Sequence, residues 1–171
     1  MEKVSKQRRE EILERIKKAG SEEYKTDWDE KGRPVSKSKT KVKQGKQSKS
    51  SGARFELKVR ENLESMGWIV DKWSNNFDLD SSKVVMAKRK FNPFNKVMTI
   101  GTGFPDFIAF QLLSDGMYKI IGVESKSNGQ LSREEKEKCR GLLDAGVFSK
   151  ILIARKKQVG RKVEVEYVEF S

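Results

Sequence analysis

The chain of 171 residues contains no histidine and one cysteine, Cys139. Without imidazole, every mechanism that uses it as base or ligand is excluded, Ser-His triads among them. Cys/His zinc sites are excluded too, and a single thiol cannot form a disulfide within one chain. No apolar stretch approaches the roughly 20 residues that span a bilayer, and no signal peptide is read at the start. A soluble chain in the cytoplasm, with no membrane partner, is the expectation. Apolar residues are also sparse, at 35% against 36% charged. The length suits one compact domain with a core rather than two, and part of the chain is too polar to join that core. Hydrolytic chemistry, if present, rests on carboxylates, lysines and a hard metal ion.

The charge is present in excess and unevenly placed. Net charge is +12. Residues 1–51 hold 16 basic and 9 acidic side chains, and residues 52–171 hold 21 and 16. Such a surplus implies a polyanionic partner, because each Lys or Arg set against a phosphate releases condensed counterions.

Residues 1–20 read as a basic helix with the acid-first pairs Glu11–Arg15 and Glu14–Lys18. It is either a solvated helix or an arm that follows a nucleic-acid backbone. Residues 21–51 read as a disordered basic linker. From Lys31 to Ser50 there are eight basic residues, no acid, and only two aliphatic side chains, Val35 and Val42. Such a segment buries too little to offset its ordering entropy. Lys39, Lys41 and Lys43 in this run suit sequence-independent phosphate contact, and a solubilising linker is the other reading.

An ordered domain over 52–171 follows. Phe55, Val59, Leu63 and Met66 mark one face of a helix, with Ser51 as N-cap and Gly67 as its stop. Glu56 sits at the edge of that stripe. Residues 68–73 read as a first strand, and SNNFDLDSS as a polar turn. Residues 82–100 hold two β-like runs around Asn92-Pro93. There Lys88, Arg89, Lys90 and Lys96 interleave with Phe91 and Phe94, a pattern that grips phosphates and stacks on bases. The alternative is an insertion whose phenylalanines pack on the core. Ser132 to Ala145 reads as a helix with an S-x-x-E capping box and apolar Leu131, Cys139, Leu142 and Leu143. Cys139 is thus a small buried hydrophobe. Residues 148–154 and 163–170 read as strands joined by a basic loop, RKKQVGRK. The order implies an α/β sandwich around a mixed sheet.

Between them lies a predicted β-hairpin. Asp106 and Glu124 flank two apolar runs joined by the turn signal Ser114-Asp115-Gly116. A hairpin centred on Asp115 pairs residues whose numbers sum to 230, which sets Asp106 across from Glu124. Partners on one face have Cβ atoms about 4.5–5.5 Å apart. Two carboxylates so placed repel and raise each other's pKa unless a cation lies between them. Asp106, Glu124 and the Ser125 carbonyl are hard oxygen donors suited to Mg²⁺ or Mn²⁺. Lys126 shares the strand face of Glu124 and could orient or deprotonate a water, with a pKa lowered by the cation. Glu56 could add a third carboxylate.

Pro105-Asp106, an apolar strand, then Glu124-Ser125-Lys126, preceded by a glutamate-bearing helix, resembles the PD-(D/E)xK nuclease superfamily. Over residues 52–154 the chain is most similar to archaeal Holliday-junction resolvases and related small archaeal and viral nucleases. The resemblance implies a restriction-endonuclease-like αβββαβ core, a mixed central sheet flanked by helices, here with a basic N-terminal arm. It implies Asp106 and Glu124 as metal ligands, Lys126 acting on the water, Glu56 assisting, and Mg²⁺-dependent endonucleolytic cleavage of DNA, with homodimerisation as in the resolvases. The insertion before Gly101 is longer than in the compact resolvases, so junction specificity does not follow. A non-catalytic nucleic-acid-binding module and a structural partner in a repair complex are the competing readings.

Overall fold

The computed structural model describes residues 6–28, 34–87, 89–92, 97–100 and 103–171. The chain divides between Ala53 and Arg54 into two compact units.

In the first unit, helix α1 (Lys6–Ala19) is followed by strands β1 (Tyr24–Trp28) and β2 (Pro34–Ser38), and then by the start of helix α2 (Lys39–Ser65). The two strands pair antiparallel from Tyr24↔Ser38 to Trp28↔Pro34. The Lys39 amide donates to the Glu23 carbonyl at 2.9 Å, tying the first residue of α2 to the hairpin. None of the described side chains here is fully buried. Within the segment expected to be a disordered linker, residues 24–28 and 34–51 form β1, β2 and the start of α2. The physical reason lies in helix propagation. Lys and Gln are sound helix formers, and extending an existing helix costs far less than starting one. Ser51 accordingly lies inside α2 and is not its N-cap.

The second unit completes α2 and adds β3 (Ile69–Lys72), β4 (Asn75–Asp78), β5 (Lys83–Met86), β6 (Arg89–Asn92), β7 (Val97–Ile100), β8 (Phe107–Ser114), β9 (Met117–Ser125), α3 (Arg133–Asp144), β10 (Lys150–Val159) and β11 (Lys162–Glu169). The central sheet has the order β11-β10-β9-β8-β3. It is mixed, since β9 and β10 run parallel while the other neighbours are antiparallel. Strands β4 and β5 form one two-stranded sheet and β6 and β7 another. The fold is therefore α/β, with three helices among the described residues. None of these helices is long and apolar enough to cross a membrane.

Two apolar clusters sandwich the sheet. Phe55, Val59 and Leu63 of α2 pack on Val70, Phe107, Ala109, Ile121, Val123 and Ala154. Cys139 and Leu142 of α3 join Phe77, Phe104, Phe148, Ile151 and Ile153 on the other face. The alternation of a strand produces this division. Met66 departs from the expected stripe and is 47% exposed, because α2 ends there. The end is a Schellman motif: Gly67 (φ 82°) donates to Glu64 and Trp68 donates to Leu63.

Two further segments differ from the sequence reading. The expected polar turn at 74–82 contains β4, whose Phe77 is 5% exposed. A Cβ at Gly141 of α3 would overlap the Phe77 ring, so the bare glycine forms the seat for it. The expected basic loop after residue 154 is instead the continuation of β10, paired to β11 as far as Val159↔Lys162. Arg155 and Lys157 both hold Glu166 there, at 2.6 and 2.8 Å, and cross-strand ion pairs make a charged ladder compatible with a strand.

Candidate functional site

The turn joining β8 to β9 sets the site's geometry. Asp115 and Gly116 both take positive φ, 46° and 77°, as a two-residue type I′ connection requires. That turn alone would pair residues summing to 231, as Ser114↔Met117 does. An irregularity between Leu112 and Ser114 restores the sum of 230 from Leu112↔Tyr118 down to Phe107↔Val123. The next step brings Asp106 beside Glu124.

The two carboxylates are locked to each other's backbone. The Asp106 amide donates to Glu124 Oε2 at 3.1 Å, and the Ser125 amide donates to Asp106 Oδ2 at 2.9 Å. Glu124 is 4% exposed. Its second oxygen, Oε1, lies 3.0 Å from Lys126 Nζ. Burial first, and the Asp106 charge second, push the Glu124 carboxyl up to about 7. Burial also raises Asp106, and the Glu56 charge adds to this, while the Ser125 hydrogen bond and Lys126 oppose it.

Lys126 is held on both sides. Its ammonium reaches Glu135 Oε1 at 2.7 Å as well as Glu124. Burial lowers the pKa of Lys126, but the bonds and charges of Glu135 and Glu124 outweigh it and hold the group above its ordinary value. Between two carboxylates and without a metal, Lys126 is favoured as an ammonium, which can orient a ligand and stabilise negative charge.

Glu135 is the residue that sequence reasoning missed in this role. It was legible only as the N3 member of a capping box, and that box is present, with Ser132 and Glu135 bonded reciprocally. The same side chain also carries Lys126. Burial raises the Glu135 carboxyl, but its bonds to Lys126 and Ser132 outweigh burial and hold it below the ordinary carboxylate range.

Glu56 arrives on α2, on the opposite face of the sheet, and its carboxylate is bonded to Lys72 at 3.1 Å. Its charge is felt at Asp106. Among the described residues, however, no group of three or more acidic, Cys or His side chains is placed to hold a metal ion. The hard oxygen donors that could hold a cation at this corner are Asp106, Glu124 and the Ser125 carbonyl. Asp106 Oδ1 accepts no hydrogen bond from a described residue, which leaves an oxygen for such an ion.

The remaining candidates lie apart from this corner in sequence. Lys39, Lys41 and Lys43 are exposed on α2 within the first unit. At 100° per residue Lys39 and Lys43 share a helix face with Lys46, and Lys41 faces away. Lys88 and Lys96 lie outside the described residues, as do the side chains of Arg89 and Lys90. Cys139 is fully buried, and burial raises its thiol to about 12, consistent with a packing role.

Comparison with known proteins gives no match: no family model, no curated protein and no solved structure aligns with this chain.

Proposed function

We propose that the chain is a Mg²⁺- or Mn²⁺-dependent endonuclease that hydrolyses DNA phosphodiester bonds, on a restriction-endonuclease-like core of the PD-(D/E)xK type. Branched or single-stranded structures arising in repair or recombination, in the cytoplasm, are the substrates it suits. The observation that carries this reading is the interlocked pair of half-buried Asp106 and buried Glu124, with Lys126 beside it. Two interlocked carboxylates, both raised in pKa, form a site whose charge a cation would stabilise.

Asp106, Glu124 and the Ser125 carbonyl would hold the metal. When bound it supplies Lewis-acid polarisation of a phosphoryl oxygen and a more acidic water. Lys126, oriented by Glu124 and Glu135, would donate to the attacking water or to a non-bridging phosphate oxygen. As an ammonium it would oppose the negative charge that develops as the phosphodiester is attacked. Glu56 contributes at a distance, through its charge on Asp106. A homodimer rests on the resemblance alone, and light scattering in solution tests it.

A second reading, a non-catalytic nucleic-acid-binding module, draws support from Glu56 being engaged with Lys72 rather than with the acid pair. Cleavage of plasmid, branched, flapped and single-stranded DNA in Mg²⁺ or EDTA separates the two. The enzyme is supported by wild-type cleavage in Mg²⁺ alone that falls about 100-fold or more in Asp106→Ala, as loss of a metal ligand requires. Equal behaviour of the two proteins across the panel sinks it.

A further inference from the structure

On the α3 face of the sheet, beside the acid pair, lies a cavity of about 520 Å³ between α3, β10 and the residues that follow β11. We propose that this cavity is a nucleotide subsite, taking one unstacked nucleotide of a DNA strand adjacent to the scissile phosphate. The proposal rests on the nuclease reading above and deepens it by naming the substrate's local structure.

Position is the first argument. The parallel ladder sets Ile153 beside Glu124 and Ala154 beside Ser125. The Lys126 amide donates to Ala154 at 2.9 Å and the Lys156 amide to Ser127 at 3.3 Å. Arg155, between those two, is thus one strand over from Lys126, and neighbouring strands are about 4.8 Å apart. Its side chain lies on the α3 face. Ile153, two residues earlier, packs in the α3-side core, and the next residue, Lys156, reaches over Phe55 on the opposite face. The Arg155 stem runs across Gly129, where an added Cβ would lie 2.8 Å from Arg155 Cδ. A strand engaged at Lys126 therefore has this cavity as its neighbour.

Charge is the second. Lys136 and Arg140 line the cavity one turn apart on α3, both exposed to solvent, and among the described residues neither makes an ion pair. Arg155 is the third cation, held by Glu166 at 2.6 Å. Glu169 is the one acidic side chain in the lining, and Lys150 neutralises it at 3.1 Å. The surplus is positive and lies on the α3 rim, where it suits a phosphate.

Lining and size are the third. Leu131, Ile153 and Phe170 supply apolar surface, with the Arg140 guanidinium 5.9 Å from the Phe170 ring centroid. A bare phosphate needs neither the apolar floor nor this volume. An aromatic ring beside a guanidinium is a platform for a base, and a base reaches it only when released from duplex stacking.

The test uses the full chain in EDTA, so that cleavage does not intervene. Fluorescence anisotropy compares a short labelled single strand with a blunt duplex of the same sequence. The double variant Lys136→Glu/Arg140→Glu is set against Arg161→Glu/Lys162→Glu, which makes the same change in net charge at the far turn of β10–β11. All four positions are exposed, and circular dichroism verifies folding. The subsite variant is expected to lose about tenfold or more in single-strand affinity and the control about threefold or less. Phe170→Leu, which keeps apolar bulk, is expected to reduce single-strand binding several-fold while leaving duplex binding unchanged. Equal losses in the two double variants, or an unchanged single-strand preference in Phe170→Leu, overturn the subsite. If the subsite variants behave as expected but no Mg²⁺-dependent cleavage is found, the nuclease reading fails and the binding site stands.

Discussion

In residues 6–53 no described side chain is fully buried, whereas residues 54–171 hold two apolar clusters on opposite faces of one sheet. The first region is held by backbone hydrogen bonds and helix propensity, and its many charges stay solvated at little cost. The second gains from apolar burial, at about 25 cal/mol per Å². That burial is also what makes Asp106 and Glu124 expensive, because a core that excludes water penalises any charge placed at its edge. The described charged residues of the first region lie on the surface, whereas the second region also holds charge against its core, at Glu124 above all.

The largest effect expected from this contrast is on stability. Leu142→Ala in the α3-side core is expected to cost about 2–5 kcal/mol. Leu13→Ala on α1, where the side chain is 57% exposed, is expected to stay within about 0.5 kcal/mol. Urea unfolding of the two variants checks the difference, and comparable losses would break the comparison.

Next in size is the pH response of metal-free protein. Glu124 has a folded pKa of about 7 against an ordinary value of 4.5, so between these values the folded state keeps a proton that the unfolded state has released. Stability from this group is full below pH 4.5 and falls as pH rises to about 7. Glu135, lowered in the folded state, acts in the opposite sense and only below 4.5, so it does not cancel the effect. Denaturant midpoints in EDTA should decline across that window in the wild type and decline less in Glu124→Gln, where the raised Asp106 carboxyl still acts in the same sense.

The pairing of β8 with β9 was legible because Ser114-Asp115-Gly116 signals a turn and the apolar runs on either side specify two strands. The expected sum of 230 is met below the tip only because the irregularity between Leu112 and Ser114 offsets the two-residue turn by one residue. The stripe Phe55–Val59–Leu63 was legible for the same kind of reason, since periodicity reports burial. The start of α2 was not, because Lys39 to Ser50 has almost no apolar pattern and its helicity comes from propagation. The strand at Asn75–Asp78 was hidden by residues typical of turns, and only Phe77 seated on Gly141 reveals it. Glu135 was half legible. Its local role as a cap is written in Ser132-x-x-Glu135, but its bond to Lys126 depends on how α3 docks against β9.

Glu135 separates local from tertiary function more finely. Gln at this position can still accept the Ser132 amide hydrogen bond, so Glu135→Gln should cost about 1 kcal/mol or less in stability. It removes one of the two carboxylates that hold Lys126, so Mg²⁺-dependent cleavage should fall by about tenfold or more. Ser132→Ala provides the converse, with the cap removed and the charge kept. If the two variants match in both stability and cleavage, Glu135 is only a cap.

The smallest effect falls on the first region. Deleting residues 1–50 removes 16 of the 37 basic side chains and, among the described residues, none that is buried. The truncated protein should bind DNA more weakly. Its plot of log K against log salt should flatten by about 0.9 for each phosphate that the deleted lysines and arginines had neutralised. An unchanged slope would show that this region neutralises no phosphates.

The claim that Asp106 and Glu124 form a cation site is tested most directly by thermal unfolding of wild type and Asp106→Asn near pH 8, in EDTA and across a Mg²⁺ titration. Binding to the folded state alone adds about 2.7 kcal/mol at 100 times the dissociation constant. The wild type should therefore melt at progressively higher temperature as Mg²⁺ rises. Asp106→Asn should start more stable in EDTA, freed of one half of the repelling pair, and should not respond to the metal. Parallel responses of the two proteins to Mg²⁺ would contradict the account.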